Sequence, residues 1–211
     1  MVAAALAATI GLTGPPPEQS ALPEDFAAAP SGRPPSTAAA PRRPAEAFPK
    51  PPSPAAPQHG PPVRILVDDV DLDARVIPVG VTERGDMTVP DDPATAGWYR
   101  YGPAPGSAQG STVLVGHVDT DSGDLGEFAA LYDVRRGHRV EVRRSGAPPV
   151  RYRILSRVTV PKDELPSSAF RRSGAPVLTL ITCAPPYVPE RGGYLSNLVV
   201  TAAPIGSGRR W

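Results

Sequence analysis

The chain has 211 residues, a formal net charge of +1 and a single cysteine, Cys183. The balanced charge gives no reason to expect a nucleic-acid partner. One cysteine excludes an intramolecular disulfide framework and a zinc site built on paired cysteines. Of the thirty prolines, sixteen lie in residues 15–62, so the composition divides the chain into a proline-rich N-terminal part and a remainder able to fold.

Residues 1–14 are apolar, rich in alanine and free of charged side chains. A run of this length suits the apolar core of a signal peptide but is too short to span a bilayer. We interpret it as the truncated remainder of a signal or membrane anchor, with a disordered alanine-rich tail as the alternative. Residues 15–62 have few large apolar side chains, so we expect a disordered, stiff and extended spacer. Such a tether suits a domain that is held off a membrane and works within a cell wall.

From residue 63 the chain consists of short runs with apolar side chains at alternate positions, the period of half-buried strands. Strands are predicted over 63–67, 72–79, 86–90, 97–99, 111–115, 139–143, 150–160, 178–183 and 198–202, with a helical turn over 127–132 and a long connection over 161–174. About eight short strands without a long helix favour an all-β, closed or nearly closed barrel over residues 63–205. Residues 206–211 are expected to fray.

The strand predicted over 178–183 ends in the cysteine, and the proline pair Pro185 and Pro186 that follows is expected to stop it. Cys183 then lies at the C-terminal end of a strand. Two interpretations are open. A free cysteine is often one more small buried hydrophobe, but a lone cysteine with a histidine elsewhere is also a candidate nucleophile.

The strand predicted over 111–115 leads into His117 and Asp119. If this strand neighbours the cysteine strand in a barrel, His117 and Cys183 lie at the same rim. There an imidazole can activate the thiol and protonate a leaving amine. A histidine with its own hydrogen-bond partners at the barrel mouth is the alternative, and His117, Asp119 and Asp121 are also weak candidate metal ligands.

Acyl transfer also needs a group that stabilises a developing oxyanion. The candidates are a backbone N–H beside Cys183, the Thr182 hydroxyl and the guanidinium of Arg191, the arginine nearest to the cysteine in sequence. Asp119 is grouped with Thr182 as a supporting residue. Arg191 also has the simpler interpretation of a loop charge.

The segment Thr179–Leu180–Ile181–Thr182–Cys183 resembles the T-L-x-T-C signature of the sortases. Gly116–His117–Val118–Asp119 is similar to the histidine segment of the class F (class E/F-like) sortases of actinobacteria. Further matches to that subgroup, in the same order and covering about residues 63–204, are Gly97–Trp98–Tyr99, Pro105–Gly106, Lys162 and Tyr194-x-x-Asn197–Leu198–Val199–Val200.

This resemblance implies a cysteine transpeptidase on an eight-stranded sortase β-barrel, without a cofactor. By resemblance, Cys183 attacks the threonine carbonyl of an LPXTG-like sorting signal to form a thioacyl-enzyme, and His117 protonates the departing amine. An amine such as a peptidoglycan precursor cross-bridge then resolves the intermediate. The expected partners are therefore sorting-signal proteins and a wall-precursor amine. The expected state is a monomer outside the cytoplasm, tethered to the membrane through its N-terminus.

One position departs from the pattern of the family. The resemblance implies an arginine beside Tyr194, on the strand after the cysteine, and this chain has Leu195 there. Residues 192–204 contain no arginine. Either Arg191 reaches round from the loop, or Arg100 supplies the guanidinium from another strand, or the enzyme is impaired.

Two other functions remain open from the sequence. The first is a catalytically impaired barrel that binds wall or sorting-signal peptides, which Leu195 keeps under consideration. The second is a different cysteine acyl-transfer enzyme, an L,D-transpeptidase or a cysteine peptidase. It is disfavoured because the chain has no Ser-His-Gly-Cys segment and no papain-like helix around the cysteine.

Overall fold

The computed structural model of the chain describes residues 24–27, 60–83, 85–120 and 122–206. Eight strands are present in this part of the chain: β1 Pro62–Val67, β2 Leu72–Val79, β3 Thr95–Tyr99, β4 Ser111–Val115, β5 Arg139–Arg144, β6 Ala147–Pro161, β7 Val177–Val188 and β8 Gly193–Pro204. Short 3-10 segments lie at Asp68–Val70, Glu127–Tyr132, Lys162–Glu164, Ser167–Phe170 and Pro189–Arg191. The predicted all-β architecture with short helical turns is confirmed.

The strands form a closed barrel in the order β1-β2-β3-β4-β7-β8-β6-β5. The pairs β2–β3 and β4–β7 are parallel, and the other neighbours are antiparallel. In the β4–β7 pair, Val115 lies opposite Ile181. Because parallel strands run in the same direction, the residues that follow these two positions emerge at the same rim. The histidine and cysteine strands are therefore neighbours, which is the condition under which a common rim was expected.

Alternation along each strand directs one set of side chains into the barrel. On β7 the even-numbered residues Leu178 and Leu180 are fully buried in the apolar core, as are Leu198 and Val200 on β8. Burying each such side chain stabilises the fold by about 1.5–3 kcal/mol. Cys183 has the opposite parity on β7, so it points away from this core.

The strand that carries the cysteine does not end there, contrary to the prediction. β7 continues through the proline pair to Val188, and its register with β8 shifts between Ala184 and Tyr187. The two prolines therefore lie at an irregularity, where the ladder does not require the N–H groups that they lack. The strand predicted over 86–90 is also wrong, since the structure has a single isolated bridge in this region.

Residues 24–27 of the predicted spacer lie against the barrel, and β1 begins at Pro62, the last residue of that spacer. Phe26 and Arg157 of β6 exchange two backbone hydrogen bonds, with N···O distances of 2.9 and 2.7 Å. The Asp25 carboxylate accepts a hydrogen bond from the Thr159 N–H at 2.7 Å. These residues therefore contact β6, within a segment whose composition predicts a disordered spacer. One aromatic residue in a Pro/Ala-rich stretch has no periodicity that would indicate such pairing.

The rest of the predicted spacer up to residue 59, the predicted anchor over 1–14 and residues 207–211 lie outside the described residues. Within the described ranges, no helix is long and apolar enough to cross a membrane.

Arg157 is the buried side chain that holds the N-terminal segment to the barrel. It is 3 % exposed. Its guanidinium donates to the carbonyl of Val134 at 3.0 Å and to that of Glu24 at 2.6 Å, and also to the Tyr132 carbonyl. The Phe26 ring covers it, with the guanidinium carbon 5.3 Å from the ring centroid. A buried guanidinium requires acceptors of this kind. The Arg157 side chain of β6 is therefore bonded both to residues 24–27 and to the backbone at Tyr132 and Val134.

Candidate active site

A cleft of about 770 Å³ opens at the rim where β4 ends. It is lined by residues of the 117–123 segment after β4, by Lys162 after β6, by Cys183 and Tyr187 of β7, and by residues 192–194 at the start of β8. Barrel closure brings these four parts of the chain together. The two predicted reactive side chains, His117 and Cys183, thus line one cleft.

Cys183 is a free, half-buried thiol. Burial raises the pKa of this thiol above its ordinary value, and the Asp119 carboxylate adds to the increase, whereas the Lys162 ammonium lowers it. The net direction is upward, so the resting group at neutral pH is mainly the thiol. Nucleophilic attack therefore needs a neighbouring base or cation that generates the thiolate.

His117 is held in place by its ring and by its backbone. The ring Nε2 lies 2.7 Å from the Pro90 carbonyl oxygen, so this nitrogen donates and has the proton in the neutral ring. The Nδ1 lone pair then remains as the basic site. The His117 carbonyl accepts the Phe128 N–H at 3.1 Å. The His117 ring therefore has a defined tautomer, in which Nδ1 is able to take a proton.

The glycine before the histidine occupies a position that has no room for a side chain. The Gly116 N–H donates to the Ile181 carbonyl at 3.2 Å, and the Gly116 carbonyl accepts the Thr182 hydroxyl at 2.9 Å. A Cβ added to Gly116 would lie 2.6 Å from the Phe128 ring. Through these two hydrogen bonds, Gly116 attaches the start of the segment that contains His117 to β7.

Gly116→Ala is expected to lower the free energy of unfolding by about 1–3 kcal/mol, because the new methyl group overpacks against a buried ring. Urea denaturation monitored by tryptophan fluorescence measures the effect. Gly206→Ala is the control, since a Cβ there would meet nothing within 4 Å. Equal denaturation midpoints for the two variants would contradict the close packing at Gly116.

The Thr182 hydroxyl points into the barrel and away from the cleft. Thr182 is 1 % exposed, and its hydroxyl donates its proton to the Gly116 carbonyl. The Thr182 hydroxyl therefore holds β7 to Gly116 and does not face the cleft, where the predicted oxyanion contact would be made. The reason is its even-numbered position on β7, which directs it inward.

Asp119 lines the cleft and ties the histidine segment to β8. Its carboxylate accepts a hydrogen bond from the Tyr194 hydroxyl, and this contact raises the pKa of Tyr194 well above its ordinary value. The Tyr194 ring packs edge-on against Tyr187, with the centroids 4.9 Å apart. The described residues contain no group of three His, Cys, Asp or Glu side chains that could hold a metal ion. Asp121, the third candidate ligand, lies outside the described residues.

Neither of the candidate arginines lines the cleft. Arg191 is the last residue of an exposed 3-10 segment between β7 and β8. Arg100 follows β3, whose antiparallel pairing places Trp98 opposite Leu114 of β4. Arg100 therefore lies towards the start of β4, at the rim opposite His117, so the alternative that it completes this site is wrong.

Among the described residues, the side chain that gives the cleft a positive charge is Lys162. This residue comes immediately after β6, and its ammonium lies close enough to the Cys183 thiol to lower the pKa of that thiol. From the sequence, Lys162 was one of the positions that match the sortase pattern, and no chemical role was predicted for it. Lys162 precedes the cysteine by 21 residues, and only the neighbour order β6–β8–β7 in the barrel brings the two together.

Comparison with known proteins decides the family. A model of the sortase domain matches residues 65–205. The chain belongs to the sortase family. Sortases are cysteine transpeptidases, and this sortase has its one cysteine in the cleft with His117. No curated protein sequence matches the chain.

Solved sortase structures share the fold. Sortase C-1 from Actinomyces oris is 21 % identical over 68 % of this chain and 71 % of its own, with a TM-score of 0.52. Sortase A from Listeria monocytogenes is 21 % identical over 69 % of this chain and 88 % of its own, with a TM-score of 0.51. The lid mutant of sortase A from Corynebacterium diphtheriae is 18 % identical over 72 % and 74 %, with a TM-score of 0.53.

Leu195 of this sortase lies on the face of β8 that the expected arginine would need. Asn197 is the register partner of Cys183. Leu195 is two residues earlier on β8 and therefore shares the face of this pair. It is half-buried, so an apolar side chain fills the position at which the resemblance implied a guanidinium.

Proposed function

We propose that this sortase is a cysteine transpeptidase that cleaves an LPXTG-like sorting signal and transfers the acyl group to an amine of the cell wall. The observation that supports it most strongly is the shared cleft of Cys183 and His117, at the common rim of the parallel strands β4 and β7. Nucleophile and base are the pair that thiol-dependent acyl transfer requires.

In the first half-reaction, Nδ1 of His117 takes the thiol proton. The thiolate attacks the threonine carbonyl carbon, a C–S bond forms and the carbonyl electron pair moves to oxygen. Collapse of this intermediate breaks the C–N bond, and the imidazolium returns its proton to the leaving amine. In the second half-reaction, the wall amine attacks the thioester, its proton passes to the imidazole, and Cys183 leaves as the thiolate.

The cleft also has apolar surface for the side chains of a sorting signal. Tyr187 is 60 % exposed and packs on Tyr194 at the cleft wall. Exposed aromatic rings of this kind are suited to contact with leucine and proline side chains. This surface supports a peptide substrate with apolar residues next to the cleaved bond.

The sequence motifs support the class F (class E/F-like) subgroup and an actinobacterial origin. The apolar residues 1–14 and the proline-rich spacer support a location outside the cytoplasm, with a membrane tether at the N-terminus and the barrel facing the cell wall. The proposed acting form is a monomer, and the proposed partners are sorting-signal proteins and a peptidoglycan precursor amine.

Incubation of the full chain with an LPXTG-containing peptide tests this proposal, with and without triglycine as the acceptor amine. Mass spectrometry should detect a thioacyl-enzyme adduct that hydroxylamine releases, and a peptide–triglycine product. Hydrolysis without transfer in the presence of triglycine would instead indicate a peptidase.

A binding barrel without turnover is the second candidate, and Leu195 is the observation that favours it. Fluorescence anisotropy with the labelled peptide distinguishes the two functions. Saturable binding without any adduct or product would support the binding barrel and overturn the transpeptidase.

A further inference from the structure

We propose that Lys162 supplies the positive charge of this active site. Its ammonium pairs with the Cys183 thiolate and then donates a hydrogen bond to the oxyanion that forms on the attacked carbonyl. The oxyanion part of this inference rests on the acyl-transfer function proposed above, and the pairing with the thiolate does not.

The strand register places Lys162 on the same face as the cysteine. Cys183 of β7 is paired with Asn197 of β8, and Asn197 is in turn paired with Val160 of β6. Directly opposed residues share a face of a sheet. The three residues therefore form one row across three neighbouring strands, on the outer side of the barrel.

The next row on this face contains Leu195, at the position where the resemblance implied an arginine. The register of β6 and β8 ends at Pro161 opposite Ser196, and one further step leads to Lys162 and Leu195. A lysine immediately after the adjacent strand thus continues the row of the leucine that stands where an arginine was expected. The positive charge is displaced sideways by one strand.

The long side chain of Lys162 is suited to cross this sideways displacement. Lys162 begins the exposed Lys162–Glu164 segment, and its long apolar stem can lie over the surface next to Leu195 while the ammonium reaches the cleft. An ammonium has three N–H groups and can donate in any of three directions. It is therefore able to serve the sulfur and a neighbouring oxyanion in turn.

The groups around the thiol act on its charge in opposite directions. Burial and the Asp119 carboxylate both disfavour the Cys183 thiolate, and Lys162 opposes them. The titratable groups that line this cleft or act on the thiol are His117, Asp119, Tyr132, Lys162 and Tyr194. Lys162 is the lysine among them.

In the proposed step, the proton of the thiol moves to His117 and the thiolate remains beside the Lys162 ammonium. When the C–S bond forms, the negative charge moves from sulfur to the carbonyl oxygen, and a hydrogen bond from the ammonium follows it. The lysine keeps its proton throughout. Collapse of the oxyanion returns the electron pair to the C=O bond as the C–N bond breaks.

Lys162→Met tests the proposal because it keeps the length of the stem and removes the charge. Loss of a neighbouring cation raises a thiol pKa, so the pH midpoint for alkylation of Cys183 by iodoacetamide should move upward. Formation of the thioacyl-enzyme with an LPXTG peptide should slow by about 100- to 1000-fold, the cost of losing one oxyanion donor. Lys162→Arg, which keeps the charge, should retain most of both properties.

Arg153→Met is the matched control, because Arg153 is an exposed cation near the middle of β6 and does not line the cleft. It should leave the midpoint and the rate unchanged. An unchanged midpoint in Lys162→Met would overturn the proposal, as would equal losses in Lys162→Met and Lys162→Arg. A loss in Arg191→Met as large as that expected for Lys162→Met would assign the charge to Arg191 and also overturn it.

The alkylation experiment needs no substrate, so it separates the two proposals. If the wild type cleaves no sorting-signal peptide, the transpeptidase proposal fails. The pairing of Lys162 with the thiolate is then still decided by the midpoints of the Met and Arg variants.

Discussion

Cys183→Ala is expected to abolish both the cleavage of a sorting-signal peptide and its capture as a thioester, while leaving the barrel folded. Loss of a catalytic nucleophile costs about 10⁴-fold or more in rate. Cys183 is half-buried and does not belong to the core cluster. We therefore expect the free energy of unfolding to change by no more than about 1 kcal/mol.

Intact-mass spectrometry and chromatographic assay of the cleaved peptide measure the effect. The chain has no second cysteine, so the variant has no other thiol able to form the adduct. Peptide binding by anisotropy is the control, because it should persist in Cys183→Ala if only the chemistry is lost. Cleavage at the wild-type rate in this variant would contradict the role of Cys183 as the nucleophile.

Arg157→Met is expected to give the largest loss of stability. The guanidinium donates to three carbonyls, those of Glu24, Tyr132 and Val134, and its removal leaves them without these donors. Hydrogen bonds to charged groups contribute about 1.5–3 kcal/mol each. Allowing for partial compensation by water, the free energy of unfolding should fall by about 3 kcal/mol or more.

Urea denaturation measures this loss, with Arg153→Met as the exposed control on the same strand, for which a change of less than about 0.5 kcal/mol is expected. Phe26→Ala separates the contribution of the N-terminal segment. Because the Phe26 ring is only half-buried, this variant should lose less than Arg157→Met. An Arg157→Met midpoint equal to that of Arg153→Met would show that the three contacts do not stabilise the fold.

Arg157 also connects the N-terminal segment to the active site. Its guanidinium donates to the Tyr132 carbonyl, and the Tyr132 hydroxyl donates to the Cys183 carbonyl at 3.1 Å. Residues 24–27 are thus linked to the backbone of the cysteine through two side chains. A segment that composition describes as a spacer contributes to the support of the catalytic strand.

The fold class and the two central residues of the site follow from local patterns along the chain. Apolar residues at every second position predict strands because a strand has a period of two. The apolar, β-branched runs that lead to His117 and Cys183 placed both residues at strand ends, and at one rim if the two strands are neighbours. The continuation of β7 through Pro185 and Pro186 could not be predicted in this way, because an irregularity in a strand depends on the strand with which it pairs.

The other groups at the site depend on how the strands pair in three dimensions. Barrel closure places β6 beside β8, and this brings Lys162 to a cysteine 21 residues away in sequence. The same closure puts Arg100 at the opposite rim, and the parity of β7 directs Thr182 inward. Side-chain parity and strand order are properties of the paired sheet, so the spacing of residues along one chain could not reveal them.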